Sequence, residues 1–258
     1  MNKLNKFLLL SLIGLAVAGV TTIAAIHNQG QGDTQAQRPY KTQKMIEFEN
    51  KFPQADYDEP EPTDEKERAK RRAKGRKYDK DMSGIAVEPE TEVATSTTDW
   101  LMELWGLPAI PVKQSDLIII GNVTNAQAHL SANKLKVYSE FTVNVEAVLK
   151  NDKDKSIQVG EAIDVDRIGG RVKFPSGKVG LFFASELGMP QVGGRYMLFL
   201  TQTDKESGFS IFTGYELRNG RVILLDRFIG ASEKYQGTNE ETLLTDVRAA
   251  IAKPQQRN

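Results

Sequence analysis

From Leu135 to Leu149 apolar and polar residues alternate. Odd positions read Leu135, Val137, Ser139, Phe141, Val143, Val145, Ala147 and Leu149; even positions read Lys136, Tyr138, Glu140, Thr142, Asn144, Glu146 and Val148. Successive side chains of a strand point to opposite faces, so this register predicts an odd row against a core and an even row in water. The run is more than twice the usual strand length, which predicts a bent strand shared between two sides of a barrel or sandwich. Just upstream, Leu117 to Ile120 is apolar on both faces, as in a central strand, and Gly121 marks a bulge or bend.

The same reading extends down the chain. Ala162 to Ile168 predicts a strand, followed by a bend at Gly169-Gly170. Arg171 to Phe174 and Val179 to Phe183 predict a hairpin around Pro175-Ser176-Gly177-Lys178. Tyr196 to Thr203 carries Tyr196, Leu198 and Leu200 on one face, and Phe209 to Leu217 follows. Asn219-Gly220 suits a two-residue turn with positive φ, and pairing outward from it sets Leu217 opposite Val222 and Tyr215 opposite Leu224. Thr238-Asn239-Glu240-Glu241 resembles a capping box, with Leu243, Leu244, Val247, Ala250 and Ile251 as an apolar stripe after it. Trp100, Leu101, Leu104, Trp105 and Leu107 sit at helical spacing before Pro108 and predict a strap over one end of the sheet. The fold class is therefore mainly β: a single antiparallel barrel or sandwich over residues 99–230, with a C-terminal helix docking on it over 231–258.

The amino-terminal part differs in kind. Lys3 and Lys6 precede an uncharged, largely apolar run from Phe7 to Ile26. That is the form of a signal peptide or a transmembrane anchor, and both readings of residues 1–26 stay open. Small residues at Ala16 and Ala18 suit a signal peptidase, while the placement of the lysines orients an uncleaved segment with its amino terminus in the cytoplasm. Residues 27–98 are rich in Gln, Pro and charge and read as a disordered linker, mostly without structure or loosely helical. Within it, ERAKRRAKGRK reads as a contact for anionic headgroups or envelope polymers, or as a solvated helix. The helix would have Thr63 as cap, acids first and bases last, and Gly75 as its stop.

The succession SDLIIIGNV, FTVNVEAVLK, a Gly-rich hairpin and YMLFL resembles a group of uncharacterised exported bacterial domains of OB-like β-barrel type, over roughly residues 112 to 226. The resemblance implies a fold and an extracytoplasmic location in the cell envelope, and no activity.

Composition removes several chemistries. The chain of 258 residues has no cysteine, which excludes disulfides, thiolate nucleophiles and Cys-ligated zinc, and its two histidines, His27 and His129, leave no histidine cluster. With 34 basic and 34 acidic residues there is no overall pull toward nucleic acid. Asp164 and Asp166 share one strand face and are the one carboxylate pair suited to acid/base work or a cation, though alternation with Ile163 and Val165 also explains them. Arg167, Arg171, Lys173 and Lys178 gather around one predicted hairpin, with Gly169, Gly170 and Gly177 allowing close backbone approach, and form the candidate site for an anionic ligand. No cofactor, metal or catalytic residue is assigned. The expected function is a non-enzymatic binding or interaction module on a flexible tether outside the cytoplasm, with an envelope protein or anionic polymer as partner, and the membrane too if the leader is uncleaved. The alternative is a membrane-anchored hydrolase using Asp164 and Asp166, metal-assisted or not.

Overall fold

The computed structural model describes residues 42–79, 87–94, 106–151, 156–184, 186–202, 208–227 and 230–253. The expected leader or anchor over 1–26 and the strap residues from Trp100 to Trp105 lie outside them. No helix among the described residues is long and apolar enough to cross a membrane.

In chain order the elements are α1 (Gln43–Glu49), β1 (Gln54–Asp56), α2 (Glu65–Asp79), β2 (Val87–Glu88), β3 (Val93–Ala94), β4 (Leu117–Leu130) and β5 (Val137–Lys150). They continue with β6 (Ala162–Ile168), β7 (Gly170–Lys173), β8 (Val179–Phe182), β9 (Arg195–Thr201), β10 (Phe209–Arg218), β11 (Arg221–Leu224), a 3-10 turn (Gly230–Tyr235) and α3 (Glu240–Ala252). Six strands form one sheet in the order β11-β10-β6-β5-β4-β9, and β9 also pairs with β10. The β6–β10 pairing is parallel and the others are antiparallel. The predicted β7–β8 hairpin belongs to a second, three-stranded sheet, where β1 runs parallel to β7. The fold is thus mainly β, with two principal sheets and a C-terminal helix.

The long strand behaves as its alternation predicts through its first half. Val137, Ser139, Phe141, Val143 and Val145 are all buried. Register then shifts: Ile120 lies opposite Ala147 but Gly121 lies opposite Val145, leaving Glu146 unpaired in a bulge. A one-residue slip turns every later side chain over. Val148 consequently joins the cluster of Phe141 and Val143, while Ala147 and Leu149 pack with Ile118, Ile120 and α3 on the other side. One strand therefore serves two cores, and Leu117 to Ile120 is apolar on both faces because each face meets a different one. Two expectations for this strand are corrected: Leu135 precedes it and is 41% exposed, and Tyr138 on the polar row is fully buried.

The turn chemistry is as predicted. Asn219 and Gly220 take φ of 52° and 71°, and Leu217 pairs with Val222 and Tyr215 with Leu224. In α3 the side chain of Asn239, not Thr238, caps the helix by accepting from the Glu241 N–H, and Leu243, Leu244 and Val247 are buried.

Part of the stretch read as a disordered or loosely helical linker departs from that reading. Residues 42–79 supply α1, β1 and α2 and bury three side chains in the cores: Phe52, between α1 and β1, in the cluster with Phe141, and Ala55 of β1 and Tyr78 of α2 in the cluster with Tyr138. In α2 the cap is Asp64, whose carboxylate accepts from the Glu67 N–H at 2.8 Å. Gly75 does not stop the helix but lies within it, because a Cβ there would stand 2.9 Å from the backbone nitrogen of Ala132.

Helix propensity alone says that Gly75→Ala stabilises by about 1 kcal/mol. The close approach reverses the sign, since overpacking against a backbone atom costs about 1–3 kcal/mol. A thermal unfolding midpoint below that of the parent chain is the expected result, and a higher midpoint would show that α2 stands off the Ser131-Ala132 turn.

Candidate functional site

Lys70, Lys74, Lys77 and Tyr78 are spaced so that they share one side of α2. Below them, strand alternation places Glu140 and Thr142 of β5 and Asp164 and Asp166 of β6 on one outer face, where Glu140 pairs across to Asp166 and Thr142 to Asp164. The helix is seated on this face residue by residue. Lys70 Nζ meets Asp164 Oδ2 at 2.8 Å, Lys74 pairs with Glu140, and Lys77 Nζ meets Asp166 Oδ1 at 2.7 Å and also contacts Ser210 Oγ on β10. The Tyr78 hydroxyl donates to Asp166 Oδ1 at 2.5 Å.

Asp166 has no exposed surface and Lys74 is almost fully covered. Burial lowers the Lys74 ammonium to about 8 although Asp166 and Asp164 favour its charged form, and the direct Glu140 contact also works against that shift. At Asp164 burial pushes the carboxyl upward, but the Lys70 ammonium and the Thr142 hydroxyl outweigh it and hold the group below its ordinary value. Burial and the neighbouring Asp166 carboxylate raise Tyr78 well above the usual phenol range. Tyr78 stacks on Tyr138 with ring centres 4.8 Å apart, and His129 packs against Tyr138 at 5.5 Å. His129 therefore lies in β4 against an aromatic ring.

Three buried polar atoms here have no hydrogen-bond partner among the described residues: Asp166 Oδ2, the Tyr138 hydroxyl and His129 Nδ1. Beside the last two opens a cavity of about 240 Å³ lined by Lys70, Lys74, Gln127, His129, Tyr138 and Glu140 among others. The opposite side of α2 is also occupied, because the acidic stretch before it folds back on its arginines. Arg71 meets Glu59 at 3.1 Å and Arg72 meets Glu61 at 2.6 Å. The basic run read as a headgroup contact thus spends these charges on its own chain.

The four predicted ligand residues do not form one site. Arg167 is buried, donates to Gly188 O at 2.6 Å and pairs with Asp226 Oδ2 at 2.7 Å, where the Thr213 hydroxyl also donates. Arg171 reaches the other way, to Phe52 O and Asn50 Oδ1. Lys173 is exposed on β7, and Lys178 donates to Thr91 O. Asp164 and Asp166 do share a face, but α2 covers it, and among the described residues no group of His, Cys, Asp and Glu is arranged to hold a metal ion. The residues that do converge, Lys70, Lys74, Lys77, Tyr78 and Glu140, carried one sequence signal: the common face of the lysines, ending on the lone aromatic of a polar run. No protein-family model matches the sequence, and no curated protein is significantly similar to it.

Two predictions follow from these environments. Arg167→Gln leaves Asp226 buried without its cation and is expected to cost roughly 3–5 kcal/mol, whereas Lys173→Gln and Lys178→Gln stay within about 0.5 kcal/mol; denaturant unfolding compares the three. Burial, with Arg71 and Lys74 adding to it, pushes His129 down to about 4 from an ordinary 6.5. Between those values the unfolded chain binds a proton that the folded chain refuses, so stability falls as pH drops, by up to roughly 3 kcal/mol. His129→Gln should flatten that limb of the midpoint-versus-pH profile. Parallel profiles would show that His129 accepts the proton in the fold.

Proposed function

We propose that this chain is a non-enzymatic interaction module of the cell envelope, an OB-like barrel outside the cytoplasm whose binding face is the outer surface of β5 and β6. The run of pairings β4-β5-β6-β10-β9 and back to β4, with β6 and β10 parallel, supports the barrel. OB-type barrels take linear ligands across the corresponding strands. The observation that carries the reading is that this same surface is lined by carboxylates, holds a polar cavity and already seats a helix through three lysines. An acid-base or metal mechanism finds no support there, because Asp166 has no exposed surface. The lysines and apolar run at the amino terminus support export or anchoring. With β1 and α2 paired to the sheets, the proposed module takes in residues 42–79 as well as the strands from β4 onward.

Location and face are tested separately. The chain has no cysteine, so Val192→Cys, at an exposed position, gives a single reporter. A membrane-impermeant maleimide is expected to label it in intact spheroplasts, and labelling only after lysis would overturn the extracytoplasmic placement. A photo-cross-linking residue at exposed Gln127, beside the cavity, is expected to give one adduct of defined size in cells, and the same residue at Val192 none. Adducts at neither position, or equally at both, would reject the face.

A further inference from the structure

We infer that α2 is a displaceable occupant of the β5–β6 face, and that the partner which replaces it is a protein helix presenting lysines at the spacing of Lys70, Lys74 and Lys77 with an aromatic where Tyr78 stands. This rests on the binding-face reading above and adds the chemistry of the ligand.

The face is built for cations held in a row. Asp164, Glu140 and Asp166 each meet a different lysine, so the recognition is a pattern and not a diffuse field. It is also incompletely satisfied, since Asp166 Oδ2, the Tyr138 hydroxyl and His129 Nδ1 are buried and have no partner among the described residues. Tyr138 and His129 line the cavity, where a better-fitting occupant reaching in with a further donor or acceptor would engage them, and Asp166 Oδ2 is the second oxygen of the carboxylate that Lys77 and Tyr78 hold.

The present occupant is held by charge and not by apolar packing, with Lys77, Tyr78 and Asp166 deep in the contact. Of its fifteen residues only Lys74, Gly75 and Tyr78 are buried, and it has no apolar stripe to hold it to a core. The Lys70–Asp164 pair is half exposed, and such pairs contribute about 0–1 kcal/mol and are screened by salt. Covalent attachment adds to these pairs. A tethered segment acts at an effective concentration on the order of millimolar, so a partner with the same contacts must add to them to compete. Tyr138 and His129 in the cavity supply the means.

The test uses the purified full-length chain and a fluorescent synthetic peptide of residues 63–80. In the chain carrying Lys70→Gln, Lys74→Gln and Lys77→Gln, the tethered helix loses its hold. The peptide should bind it saturably, roughly tenfold or more tighter than the parent chain, and should be released as salt rises to about 0.5 M. A peptide with the three lysines replaced by glutamine should not bind, and adding Glu140→Gln and Asp166→Asn to the chain should abolish binding of the native peptide. Should the triple variant fail to fold, amide hydrogen exchange on the parent chain decides. Excess peptide should speed exchange across residues 65–79 while β5 stays protected. Exchange that does not respond to peptide, binding that survives loss of the peptide's lysines, or a folded triple variant that ignores the peptide would overturn the inference. In each of those cases a cross-link from Gln127 would keep the interaction face and remove only the helix as its ligand.

Discussion

A carboxylate with no exposed surface has to be given a countercharge, and Asp166 obtains its own from a segment 88 and 89 residues earlier in the chain, through Tyr78 and Lys77. Burying an unpaired carboxylate costs several kcal/mol, so β6 cannot take its place under α2 unless the helix arrives in one register. Gly75 permits that arrival by allowing the helix against the Ser131-Ala132 turn, and the turn in turn fixes where β5 begins. The position of the amino-terminal segment, the closure of the outer face and the burial of Tyr138 and His129 all follow from this one pairing.

The sheet beneath is organised by a different constraint. A strand of fourteen residues that stays in strict alternation presents one face to one core along its whole length. The bulge at Glu146 breaks that rule, and the second half of β5 feeds the cluster beneath α3 while Val148 stays with the first. β4 meets both clusters in the same way without needing a change of phase, because its Leu117 to Ile120 run is apolar throughout. This explains how a chain of modest hydrophobic content covers both sides of a six-stranded sheet.

What was legible in the sequence was what neighbouring residues decide. The Asn219-Gly220 turn, the β10–β11 register, the β7–β8 hairpin and the stripe of α3 depend on spacings of a few residues, and the structure has them where the pattern places them. Packing of α2 was not legible because helix periodicity detects apolar stripes, and this helix docks through charge on partners 66 to 94 residues away. β1 is three residues long and owes its strand conformation to β7. Arg167 is the instructive case. It continues the row of Ile163 and Val165, so alternation already pointed it inward, yet its charge suggested a surface role; Asp226, 59 residues on, reconciles the two.

A charged seat and an apolar seat hold a helix differently, and the difference bears on what the outer face is for. Apolar packing gains from area with little regard to register, whereas three lysines over three carboxylates gain only when each pair coincides. A slide by one residue would leave buried charges unmatched at both surfaces. Such a contact is selective in proportion to its desolvation cost and weak in proportion to its exposure. Both conditions hold here, with Lys77 and Asp166 deep in the contact and Lys70 and Asp164 at its rim. An element meant only to complete the fold would be better served by leucines, which the same sequence uses freely in α3. The choice of lysine over the β5–β6 face therefore favours specificity over strength.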